Sequence, residues 1–230
     1  MTMDMHRTRY GTKNPEPVDN GLWEQAVRHD WTGSRLGHHL GPELAAKQGR
    51  SNFAHSTYRD ATPGPFWSWS RLGRTSTVLA DGRIVHVGGE HEDFYDVNFC
   101  IYNDVVVEGP ERRLAIYLYP QAIFAPTDFH TATLVDETII LIGALGYKDL
   151  RRVGRTQVLK LDTGTMRIEP LETTGTGPGW ISRHTAEQVS GSTILVKGGS
   201  VQTQSAYEKN MRAYLLDLES NHWSVADALA

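Results

Sequence analysis

Charged and proton-exchanging residues stand at matching places along this chain. Arg74, His130, Arg183 and His184 each come just before an apolar stretch, and Glu90, His91, Glu92, Asp93, Tyr147 and Lys148 follow the stretch after that. Guanidinium and imidazole groups suit carboxylate partners or proton transfer, while Glu90 and Asp93 suit basic groups. In a four-stranded antiparallel sheet the start of the first strand and the end of the second lie at one end. Residues far apart in sequence would therefore gather on one face.

Other chemistries fit the sequence less well. Glu90-His91-Glu92-Asp93 has metal-ligand types, but neighbours on an extended loop point in alternate directions and one histidine with carboxylates makes a poor structural site. It reads as a solvated acidic loop, and no metal is expected. His38-His39 reads as a surface pair. The glycine-rich stretch 171–180 has neither a lysine nor a following helix, so it fails as a phosphate loop. There is no Gly-x-Ser-x-Gly, no His-Glu-x-x-His and no reactive context around Cys100.

A repeat must position the gathered residues. Gly88, Gly143 and Gly198 stand 55 residues apart, and Asp162 and Asp217 keep the same interval. Two landmarks sharing one period of about 50 residues mark repeated sheets of the propeller type. The reading gives three repeats, at about 71–123, 124–178 and 179–226. Strands are expected at 76–80, 84–87, 104–108 and 114–119, then at 131–135, 138–142, 157–161 and 166–171, then at 185–189, 193–197, 213–218 and 222–226. Asp81-Gly82 and Asp162-Thr163-Gly164 supply turns. Nothing after 226 supplies another repeat.

Three features resemble the kelch-repeat family: Gly88-Gly89 and Gly198-Gly199 closing an apolar strand, Leu161-Asp162 and Leu216-Asp217 ending a later one, and Trp223 six residues after Asp217. The resemblance covers about 70–226. It departs at Gly143-Ala144, at Ile168 in the place of Trp223, and in a first repeat without the tryptophan. It implies a mainly β fold of kelch-like β-propeller blades, four strands each. It also implies that the loop-bearing face binds the ligand or partner.

Propellers close with roughly four to eight blades, so three blades imply either a half-ring closed by a cap or a homodimer completing a six-bladed ring. Before the repeats, 1–19 reads as a flexible polar arm and 20–70 as a helical and aromatic N-terminal cap. The cap comprises a helix from Asn20 to about His29, a second helix beginning at Pro42, and an aromatic plug of Phe66, Trp67 and Trp69.

Net charge is −4 with mixed signs, and 22% of residues are charged, which gives no concentrated basic field for nucleic acid. One cysteine cannot form an intrachain disulfide, and no stretch has the apolar length of a signal core or membrane span, so a cytoplasmic chain without membrane contact is expected. The expected function is a non-catalytic binding module for a protein or peptide, without cofactor. Its site residues would be Arg74, Glu90, His91, Asp93, His130, Tyr147, Arg183 and His184. The alternative is a small-molecule or carbohydrate-acting enzyme using His130, His184 and His91 as acid, base or ligand. An oxidase with a cysteine-crosslinked tyrosine, also found among kelch-like propellers, fits poorly because Cys100 lies in an apolar run.

Overall fold

A computed structural model describes residues 6–40, 65–91 and 99–226. The chain is mainly β, with two helices. It begins with β1 (Glu16–Val18), α1 (Gly21–Arg28) and α2 (Gly33–Leu40). Asn20 caps α1 as expected, its Oδ1 accepting from the Leu22 and Trp23 N–H groups at 3.2 and 3.3 Å. Trp23, Ala26 and Val27 form the buried stripe of that helix. α2 carries Leu36 and Leu40 one turn apart; Thr32 precedes it, its Oγ1 accepting from Arg35 N–H, and Leu36 is buried. The helix expected from Pro42 lies outside the described residues.

Three main sheets follow. The first holds β2 (Thr75–Val78), β3 (Ile84–Val87), β6 (Asp104–Glu108) and β7 (Leu114–Leu118), with a short side hairpin of β4 (Glu90–His91) and β5 (Cys100–Ile101) between β3 and β6. The second is β8 (Thr131–Val135), β9 (Thr138–Ile142), β10 (Val158–Asp162) and β11 (Ile168–Pro170). Next come β12 (Thr174–Gly175) and β13 (Trp180–Ser182), then the third sheet of β14 (Thr185–Ser190), β15 (Thr193–Lys197), β18 (Ala213–Asp217) and β19 (His222–Val225). Between β15 and β18, β16 (Ser200–Gln202) and β17 (Tyr207–Lys209) join β13 in a side sheet.

The expected strands are all present within a residue or two, but the sheets are not uniform. The first gains β1, antiparallel to β7 with Pro17 opposite Tyr117, and the third gains β12, parallel to β19. Both additions cover an outer edge that would otherwise leave a row of unpaired N–H and C=O groups. The reading of 1–19 as a flexible arm is corrected from residue 6 onward. Proline tolerates an edge position, Gly11 N–H donates to Tyr119 O, and Asn14 exchanges two hydrogen bonds with the Ile168 backbone. Glu16 is held below the usual carboxylate range, at about 2, because bonds from Arg9 and Thr12 outweigh the upward push of burial.

The repeated aspartates close hairpins. Asp162 Oδ1 accepts from Gly164 and Thr165 N–H, and Asp217 Oδ1 accepts from Ser220 N–H, the side-chain turn geometry that favours Asp there.

Inner strands β2 and β14 both lie against β8, so the sheets follow one another side by side. One core, with Val85, Val87, Val105, Ile139, Leu141 and Leu161, fills the space between the first and second sheets. Another, with Ile140, Ile142, Ile194, Val196 and Trp223, lies between the second and third. Without a tryptophan, the first junction is filled by Tyr119, Phe124, Met166 and Ile168, and the Tyr119 hydroxyl donates to Met166 O at 2.6 Å.

The first glycine of each pair is where the next sheet arrives. A Cβ on Gly88 would stand 2.2 Å from Thr127 O, and one on Gly143 would stand 2.3 Å from Ile181 O. Both glycines have positive φ, 57° and 73°, a conformation glycine adopts without strain. The residue after each donates its N–H to that same carbonyl: Gly89 to Thr127 O and Ala144 to Ile181 O, at 2.8 and 2.9 Å. At 144 the N–H suffices and alanine serves, whereas a Cβ on Gly89 would stand 2.9 Å from Arg74 Cβ and one on Gly199 2.4 Å from Ser182 O.

The leading face of the first sheet, opposite its junction with the second, is covered by the N-terminal segment. Trp23, Leu36, Phe66, Trp67 and Trp69 pack on Val106, Ile116 and Leu118. The aromatic stretch is thus a core plug, with Trp23 and Trp67 stacked at 4.9 Å.

Candidate functional site: the rim at the start of the inner strands

Each inner strand opens on a threonine, preceded by a charged or imidazole residue and, before that, by a residue with positive φ. These triplets are Gly73-Arg74-Thr75, Phe129-His130-Thr131 and Arg183-His184-Thr185, with φ of 63°, 48° and 56° at the leading residue. Backbone bonds join them in series: Phe129 N–H donates to Gly73 O and Arg183 N–H to Phe129 O, both at 2.8 Å. The threonines and histidines form a parallel series. His130 Nε2 lies 2.8 Å from Thr75 Oγ1, and His184 Nε2 lies 3.0 Å from Thr131 Oγ1.

His130 and His184 are therefore latches between sheets rather than exposed groups. Each is buried, and its Nδ1 has no hydrogen-bond partner among the described residues. Burial, with some repulsion from His184, pushes His130 down to about 3, and burial pushes His184 down to about 4. Both imidazoles are neutral and enclosed. Each histidine packs against the first threonine of the preceding sheet's inner strand, which is why residues expected on the surface lie inside.

The two arginines differ. The Arg74 guanidinium stacks on Trp69 at 3.9 Å and donates to Trp69 O at 3.0 Å, so it faces the cap. Arg183 is exposed; its guanidinium lies 3.8 Å over the Phe129 ring and donates to no described group. Stacking fixes the plane of the fork while leaving its N–H donors outward.

The remaining expected site residues are mostly interior. The Tyr147 hydroxyl accepts from Ile101 N–H at 2.9 Å, which binds the second unit to the β4–β5 hairpin. His91 is buried, its Nδ1 3.3 Å from both Ser68 Oγ and Ser70 O. Glu90 is buried and exchanges two backbone bonds with Leu72. Asp93 lies outside the described residues. Cys100 is enclosed, its thiol pushed up to about 12 by burial, and so is no nucleophile.

Two features escaped the sequence reading. Asp128, fully buried in the segment leading to β8, accepts from Gly146 N–H at 2.6 Å and meets the Glu90 carboxyl. Burial raises its pKa above the ordinary range, against the pull of Gly146 N–H, Glu90, Arg183 and Arg151. The second feature is Arg71, in a buried two-bond ion pair with Asp104 at 2.5 and 2.9 Å and 3.4 Å over the Tyr102 ring. Trp67 Nε1–H donates to the same carboxylate at 2.7 Å, so Asp104 ties the aromatic plug to the first sheet.

The outward part of the rim is thus Arg183 on Phe129, exposed Leu72, and Tyr207, whose ring sits 5.1 Å from the Arg151 guanidinium. Arg151 itself is fixed by Leu145 O, Gly146 O and Gln202 Oε1. Among the described residues no three His, Cys, Asp or Glu side chains converge as a metal site, and no helix is long and apolar enough to cross a membrane. No protein-family model matches the chain, and no curated protein matches it.

Proposed function

We propose that this chain is a kelch-like binding module: its three sheets are successive propeller blades forming a half-ring, and their rim recognises an acidic segment of a protein or peptide. The supporting observation is Arg183, exposed, oriented by Phe129 and without a side-chain hydrogen bond to any described residue. A guanidinium held this way favours bidentate carboxylate binding, with Tyr207 and Leu72 as flanking contact surface. The histidines an enzyme would use at this face are enclosed between sheets.

Of the two ways to complete three blades, the cap is favoured over a six-bladed dimer. A second copy would have to stack on the leading face of the first sheet, where Trp23, Trp67 and Trp69 already pack. Light scattering should give the mass of one chain; a dimer would overturn the capped arrangement. For the rim, Arg183→Glu should abolish binding of a fluorescent glutamate-rich peptide and capture of partners from native lysate, with melting temperature unchanged. Binding equal to the unaltered chain would refute the assignment.

A further inference from the structure

The third sheet carries the same receiving atoms as the first two, and among the described residues nothing occupies them. A Cβ on Gly198 meets no atom within 4 Å, although its φ is 69°, matching Gly88 and Gly143. No described carbonyl takes the N–H of Gly199, the counterpart of Gly89 and Ala144, and no described N–H reaches Arg183 O, the counterpart of Gly73 O and Phe129 O. The Thr185 hydroxyl, whose counterparts meet His130 and His184, turns back to Lys197 O at 3.3 Å.

The two internal occupants of such a seat define what fits. In 127–130 and again in 181–184, a main-chain carbonyl crosses the glycine, a residue with positive φ two places later donates its N–H, and the next residue is histidine on the threonine hydroxyl. Below the seat, Lys197 and Glu187 form an exposed ion pair at 2.7 Å where the second sheet has Ile142 and Thr133. A whole further sheet would bury that pair, which is costly. A peptide confined to the rim would leave it in water, and a second copy lacks a free leading face to offer.

We infer that the open end of the third sheet, at Arg183 O, Thr185, Gly198 and Gly199, is a docking seat for an extended peptide segment of a partner protein that imitates 127–130: carbonyl first, N–H two residues on, then histidine. Main-chain hydrogen bonds supply affinity and the histidine supplies selectivity, as in other extended-peptide recognition.

The probe is a fluorescein-labelled peptide of residues 125–135, titrated against the full chain by anisotropy. Saturable binding is expected, weakened at least about tenfold when alanine replaces the histidine. Gly198→Asn, which tolerates positive φ and has open space, should fold with an unchanged melting temperature and lose the peptide. Gly143→Asn, where Ile181 O already sits, should lower the melting temperature. Gly198→Asn should still bind the glutamate-rich peptide, which is held by the Arg183 guanidinium, so this seat and the acidic-segment site fail separately. Absence of saturable binding, or equal binding by Gly198→Asn, would overturn the seat. Self-association abolished by Gly198→Asn would overturn the peptide in favour of a second copy.

Discussion

Acid should loosen this molecule earlier than its carboxylates predict, because His130 and His184 are buried and neutral in the latches between sheets. Their folded pKa values, about 3 and about 4, lie below the ordinary 6.5. Below pH 6.5 the unfolded chain takes up protons that the folded chain refuses. Their contribution is therefore full above that pH and is lost as pH falls through 6.5 toward the folded values. Linkage makes the slope about 1.4 kcal/mol per pH unit per histidine, or about 2 kcal/mol each and about 4 kcal/mol together between pH 7 and 5. That is a large share of a typical net stability of about 5–15 kcal/mol. His86, lowered chiefly by burial, acts in the same direction, and Asp128, raised by burial, acts oppositely. Urea titration followed by tryptophan fluorescence at pH 7, 6 and 5 measures the loss. His130→Gln and His184→Gln, which keep a side-chain donor near the threonine, should each remove roughly half of the combined pH dependence of the two latches. A double variant with the parent's pH dependence would refute the assignment.

Three further outcomes test the packing. Arg71→Met leaves Asp104 buried without its ion pair and should cost about 3–5 kcal/mol in urea unfolding, with the tryptophan emission of the cap shifting red before the main transition. Trp223→Ala empties the junction between the second and third sheets and should cost about 3–5 kcal/mol by the same measurement. Asn20→Ala removes the cap of α1 and should cost about 1 kcal/mol, visible as a lower urea midpoint with unchanged slope.

Repetition made the sheets legible. The 55-residue interval of Gly88, Gly143 and Gly198 reflects a steric demand met twice within the chain, and Asp162 and Asp217 recur because a side-chain turn closes each hairpin. Elements belonging to one repeat alone were not legible. α2 is eight residues long with glycines at 33 and 37, which weaken a helical reading, and β4 and β12 are two residues long. Arg183 is exposed as expected, but Glu90, His91, His130, Tyr147 and His184, which the reading placed on the surface, are buried. Strand alternation tells which face a side chain occupies, while the cover over His130, His184 and Glu90 comes from neighbouring sheets and from segments such as 127–130. Asp128 sat unremarked beside His130, because a lone aspartate before a strand looks like an ordinary loop residue until Gly146 and Glu90 are brought to it.

The way β12, β13 and β14 divide the chain between the second and third sheets bears on the order of assembly. This connection first lies along the outer margin of the third sheet, next to Trp223, then joins the side hairpin, and only then becomes the inner strand. A fragment starting at Trp180 would have lost the outermost strand and the threonine that holds the Trp223 indole. The last sheet thus depends on residues made before it, and a protease cut between Leu171 and Trp180 would unfasten its outer margin while leaving the first two sheets bound to the cap.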